Sequence, residues 1–140
     1  TVRTSLSDTC SGSSARMRVS IASSILAACG GGAEPTPIPA VPADWAGKAM
    51  PAGIDAAAGK DVFDANCASC HGATGAGDGE AGAALDPKPA NLVTFVPQVG
   101  DDYLFWRVST GKEGTSMVAW TGVLTEEQIW QVVACIKTLK

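Results

Sequence analysis

Cys67-Ala68-Ser69-Cys70-His71 sets two cysteines three positions apart and runs the second directly into a histidine. This C-x-x-C-H pattern reads as the covalent attachment site of a c-type haem. The spacing carries the chemistry. Two intervening residues keep both sulfurs on one side of a short helical turn, where the thiols add across the two porphyrin vinyl groups. The following imidazole then points back at the iron from beneath the ring. His71 is the single histidine of the chain, so no other histidine competes for the proximal position.

Two other chemistries use cysteines at this spacing. A thioredoxin-like redox pair belongs in a βαβ setting, whereas this stretch follows a helical pattern without β-branched strands. A zinc site needs four ligands, usually with a second pair at similar spacing. Cys10, Cys29 and Cys135 are isolated, and there is no second histidine to complete such a set.

The 140 residues suit one domain, and 16 glycines and 8 prolines with little alternating pattern argue for an all-α fold of short helices wrapped in loops. Three Phe and one Tyr are few for a core, but four Trp and a large apolar cofactor offset that.

The N-terminal part reads differently. Thr1 to Ser14 has no apolar period. After Arg16-Met17-Arg18, the uncharged run Val19 to Ala28 is too short to span a bilayer but suits the apolar region of a signal peptide. It ends in Leu26-Ala27-Ala28-Cys29, which resembles the lipobox of bacterial lipoproteins, with cleavage before Cys29 and acylation of that cysteine. The alternatives are an ordinary secretory signal or a short apolar helix with an incidental cysteine. Pro35, Pro37, Pro39 and Pro42 then favour an extended tether. The expected division is 1–28 leader, 29–53 tether and 54–140 haem domain. Trp45 and Met50 either pack on that domain or mark a docking point for a partner.

Three helices are expected in the domain. The first runs from about Ile54 to Asn66, capped by Asp55, with Gly59 and Phe63 on one face. The second runs from about Asp101 to Thr110 and stops at Gly111. The third opens on a capping box, Thr125 with Gln128, and repeats Ile129, Val132, Val133 and Ile136 at helical spacing. That stripe should cross the first helix at Gly59 and Phe63. Between the first two helices, the glycine-rich stretch Gly72 to Leu85 reads as a loop. Asp86-Pro87-Lys88-Pro89-Ala90-Asn91-Leu92 should wrap the proximal haem edge, with a prolyl carbonyl of Pro87 or Pro89 accepting the Nδ1 proton of His71. Trp106 and Arg107 are placed near the haem, as packing or as propionate partners. For the sixth iron position, Met17 falls in the leader and Met50 in the tether, which leaves Met117 in its glycine-flanked loop. A Met that simply packs is the alternative. His/Met ligation raises the reduction potential and leaves no open site, which suits an electron carrier.

From about Ala56 to Leu139 the chain resembles a class I monohaem cytochrome c. The resemblance rests on the helix before Cys67-x-x-Cys70-His71, the 86–92 loop, Met117 and the capped last helix. It implies a small fold with crossing terminal helices around one covalent haem c, iron held by His71 and Met117, and electron transfer through an exposed haem edge. Relatives carry an aromatic near the end of the last helix where this chain has Cys135, so the crossing is expected to lean on Trp130 and Phe63, with Cys135 a buried, inert thiol. The lipobox, the tether, Pro42-Ala43-Asp44-Trp45-Ala46-Gly47-Lys48 and Asp102-Tyr103-Leu104-Phe105-Trp106-Arg107 are similar to the monohaem subunits of bacterial alternative complex III, a quinol-oxidising assembly.

From Cys29 onward 13 acids face 7 bases, a net of −6, which does not suit nucleic acid. The expected place is the periplasmic side of the bacterial cytoplasmic membrane, lipid-anchored through Cys29, with a redox protein or complex as partner and no small-molecule substrate. Three functions follow: a non-enzymatic electron-transfer subunit of a membrane respiratory complex, a tethered or soluble shuttle, or a small-ligand sensor or peroxidase should Met117 leave the iron.

Overall fold

The computed structural model describes residues 37–140. The leader, the lipobox with Cys29 and the first part of the tether lie outside them. Among the described residues the fold is all-α: α1 (Ala56–Asn66), α2 (Ala68–His71), α3 (Leu92–Phe95), α4 (Asp101–Thr110) and α5 (Glu126–Ile136), with short 3-10 turns at Glu80–Ala84 and Val96–Gln98. No described helix is long and apolar enough to cross a membrane.

Each long helix starts and stops where its local chemistry dictates. Asp55 caps α1 by accepting from the Ala57 amide at 2.8 Å. On α5 both halves of the capping box form: Gln128 N–H donates to Thr125 Oγ1 at 3.2 Å, and Thr125 N–H donates to Gln128 Oε1 at 2.9 Å. Helix α4 ends at Gly111, whose φ of +71° closes the turn in a region that favours glycine.

Helices α1 and α5 pack directly on each other, and Gly59 is the reason they come so close. A Cβ at Gly59 would lie 1.9 Å from the carbonyl oxygen of Gln131 on α5. Phe63, one turn further along, is buried against the same helix pair with Val132 and Val133. The expected crossing is therefore present. The Trp130 ring, buried in the same cluster as Phe63, also stacks on Phe105 of α4, centroids 4.0 Å apart and planes 17° from parallel. Cys135 is buried, and burial raises its thiol pKa, in keeping with an inert residue.

The segment before α1 packs on this body. Val41, Trp45 and Met50 lie against the core, so packing on the domain is the role observed for Trp45 and Met50. A tight turn, in which the amides of Trp45 and Ala46 both donate to Pro42 O at 2.9 Å, sets the indole 5.8 Å from the Phe105 ring. The Lys48 ammonium lies over both rings, and Gly47 N–H donates to Asp102 Oδ2 at 3.0 Å. Lys137, just beyond α5, pairs with Asp101 at the start of α4.

Candidate haem site

Helix α1 runs into α2 with only Cys67 between them. The Cys67 amide still donates to Phe63 O at 2.8 Å, and His71 N–H donates to Cys67 O at 2.9 Å. Cys67, Cys70 and His71 thus share one helical turn at the end of a helix whose other face is fixed in the core. Both thiols are free, and burial pushes the Cys67 thiol up to about 11, with Cys135 and Cys70 adding to the rise.

His71 has one ring nitrogen spoken for. Its Nδ1 lies 3.2 Å from the carbonyl oxygen of Ala90 and donates to it, which fixes the tautomer and leaves Nε2 with its lone pair. Burial lowers the imidazole pKa, against the opposing pull of the Ala90 carbonyl, so the ring is held neutral. The acceptor is not a prolyl carbonyl, as expected from the sequence, but the next residue along. The cause lies in how Pro89 is seated: its ring lies on Gly82 and its carbonyl on Gly77, where a Cβ would meet them at 2.7 Å in each case. Pro87 is exposed.

The glycine-rich stretch is not a featureless loop. It contains the 3-10 turn Glu80–Ala84, and Gly79 and Gly82 lie against the attachment turn. A Cβ at Gly79 would stand 2.4 Å from Ser69 O, and one at Gly82 would stand 2.5 Å from Cys70 O. Leu92 N–H donates to Gly75 O at 2.7 Å, tying the 89–92 segment to the same stretch. Asn91 caps the unpredicted α3 by accepting from Thr94 N–H at 3.2 Å.

On the far side of α4, Met117 is half-buried in a turn held against the helix end. Lys112 N–H donates to Met117 O at 2.9 Å, Met117 N–H donates to Thr115 Oγ1 at 3.2 Å, and a Cβ at Gly111 would stand 2.4 Å from Met117 O. Gly111→Ala is therefore expected to cost about 2 kcal/mol or more, the left-handed penalty plus this contact, read as a lower denaturation midpoint of the haem-loaded protein. Trp106 is half-buried, edge-on to Tyr103 at 5.6 Å, and the Arg107 guanidinium stacks on it at 3.9 Å. Arg107 Nε donates to Tyr103 Oη at 3.3 Å, an internal anchor that spacing alone did not suggest.

The donor set fits a covalent haem c. Two unpaired thiols on one turn, one neutral imidazole with a free Nε2 and a floor of backbone cleared by glycines match what that group needs. Among the described residues no three His, Cys, Asp or Glu side chains converge to hold a bare metal ion.

Residues 54–136 match the family model described as "Cytochrome C oxidase, cbb3-type, subunit III". The chain is 34% identical over 84 residues to the cbb3-type cytochrome c oxidase subunit FixPc of Rhizobium leguminosarum bv. viciae, a match covering 60% of this chain and 28% of that subunit. The corresponding FixP subunit of Rhizobium meliloti is 35% identical over 81 residues, covering 58% and 26%. The chain thus spans little more than a quarter of these oxidase subunits. By contrast, its 35% identity over 91 residues to cytochrome c-554(547) of Halothiobacillus neapolitanus covers 61% of this chain and 98% of that protein. Among solved structures, a chain of the reducing HAO-like protein complex of Kuenenia stuttgartiensis is similar, with a TM-score of 0.54 and 31% identity over 59% of this chain and 41% of the other.

Proposed function

The chain belongs to the cytochrome c family described by the subunit III domain of cbb3-type cytochrome c oxidases, and on that premise we propose that it passes single electrons through a haem c ligated by His71 and Met117, as a membrane-anchored subunit of a larger electron-transport complex. Haem c supplies an iron that alternates between ferric and ferrous states. The single observation that carries the reading is the His71 Nδ1–Ala90 carbonyl bond, which leaves a neutral Nε2 on the turn that holds both thiols. Cys67 and Cys70 form the thioethers. Met117 would be the second protein ligand to the iron and would keep small ligands from it. Arg107 has two of its five guanidinium donors engaged with Tyr103 and Gly111, and the remaining ones would be available to a haem propionate. Pro87, Pro89 and Trp106 complete the surroundings.

The finer assignment is a lipoprotein whose acylated Cys29 follows a leader at 1–28, with residues 29–53 leading to the haem domain at 54–140, on the periplasmic side of the cytoplasmic membrane. Its resemblance to alternative complex III subunits makes a quinol-oxidising assembly the proposed partner. The two oxidase subunits among its relatives support membership of a multi-subunit complex. A second reading, a small tethered or soluble shuttle, is favoured by the near-complete coverage of cytochrome c-554(547). A haem-stained native gel of membranes solubilised in mild detergent separates them. Haem from this chain migrating with a large quinol-oxidising assembly supports the subunit; a small separate haem band identifies a shuttle. Prompt carbon monoxide binding by the reduced, unmutated protein would defeat both and favour a sensor or peroxidase.

A further inference from the structure

Gly77 sits between the two halves of the proximal haem support. Its N–H donates to the backbone carbonyl of His71 at 2.7 Å, with φ at +81°. Its bare Cα faces the segment that carries the His71 acceptor. A Cβ there would lie 2.7 Å from Pro89 O and 3.3 Å from both the carbonyl carbon and oxygen of Ala90. That segment has little freedom to retreat along its length. The Pro89 ring is seated on Gly82, and Leu92 N–H is bonded to Gly75 O at 2.7 Å. A Cβ at position 77 would press first on Pro89 O and then on the Ala90 carbonyl, so relieving the contact displaces the Pro89–Ala90 peptide and carries the Ala90 carbonyl with it. The Nδ1–O bond is already 3.2 Å, at the long end for N–H···O, so a few tenths of an ångström break it.

We infer that Gly77 is a positioning residue for the haem: by carrying no side chain it lets the Ala90 carbonyl meet His71 Nδ1, and through that bond it sets the reduction potential. The inference rests on His71 as proximal ligand and Met117 as the sixth. A hydrogen bond from Nδ1 makes the imidazole a stronger donor to iron, which favours the ferric state. Losing it favours the ferrous state, so the potential rises.

The test uses the full-length haem-loaded protein, with Gly77→Ala against a control, Gly53→Ala. Gly53 has φ +82° but nothing within 4 Å of where its Cβ would stand, so the control carries the same backbone strain without the contact. Gly77→Ala is expected to shift the ferric–ferrous equilibrium roughly tenfold toward ferrous, about 59 mV for one electron. The His71 Nδ1 proton of the ferrous protein should also exchange with solvent faster by proton NMR. Gly53→Ala should move neither. Should Gly77→Ala fail to load haem, Gly77→Asn accepts the left-handed backbone yet keeps the Cβ, and the same shift is expected. A loaded variant at position 77 with the parent potential and exchange rate overturns the inference, as does an equal shift in Gly53→Ala. A freely exchanging Nδ1 proton in the unmutated holoprotein overturns it without any variant. Carbon monoxide binding by that same unmutated protein would instead remove the ligation reading beneath it.

Discussion

Met117→Ala is expected to turn a haem that ignores carbon monoxide into one that binds it promptly on reduction. On the proposed ligation the Met117 thioether is a soft ligand that stabilises ferrous iron, and among the described residues the other methionine, Met50, is half-buried against the core before α1. With alanine there, the position proposed for Met117 on the iron would be open to water or an added gas. The potential should fall at the same time, on the order of 0.1 V within the roughly 0.8 V that axial ligands span. Stopped-flow mixing with carbon monoxide and a redox titration read the two effects separately. The fold should survive, because Met117 lies in a loop whose backbone bonds to Lys112 and Thr115 do not involve its side chain. An unchanged potential with no gas binding would show that Met117 merely packs.

A second large effect is expected far from the iron. In an exposed helix Gly→Ala stabilises by about 1 kcal/mol through propensity alone. Gly59→Ala should do the reverse, because its methyl would fall 1.9 Å from the Gln131 carbonyl, and a backbone atom has no rotamer through which to yield. The two helices have to part by an ångström or more along the buried face that includes Phe63, Val132 and Val133. Overpacking of this kind costs about 1–3 kcal/mol, and a backbone-to-backbone contact belongs at the upper end or beyond it. A net loss of about 2 kcal/mol or more is expected after the propensity gain, measured by guanidinium denaturation of the holoprotein. A rise in the midpoint would mean that the crossing is looser than described.

What could be read directly from the sequence is what short-range chemistry controls. The attachment turn, the Asp55 cap, the Thr125–Gln128 box and the Gly111 stop each involve residues within four positions of one another. Each is found where its pattern places it. Gly59 and Phe63 were also legible, because a small and a large residue at i and i+4 announce a close crossing. The partners of distant residues were not. Trp130 on Phe105, Lys137 with Asp101 and Gly47 with Asp102 join segments 25 to 55 positions apart, and no local pattern encodes them. The Ala90 acceptor escaped for a subtler reason. Every residue offers the same carbonyl, so which one meets His71 depends on how Pro89 settles on Gly77 and Gly82. Glycines that pattern analysis takes for slack turn out to be contact surface.

The docking of Val41 and Trp45 on the core limits the reach of the proposed anchor. With Val41 bound, about 12 residue steps remain back to Cys29, and at no more than roughly 3.6 Å each they span at most about 43 Å. An anchor at Cys29, as proposed, would hold the iron on a short leash: free to pivot toward neighbours in the same membrane, but not to ferry electrons across a wide aqueous gap. Lengthening the chain between positions 29 and 41, rather than altering the haem, is then the direct way to change which partners it can serve.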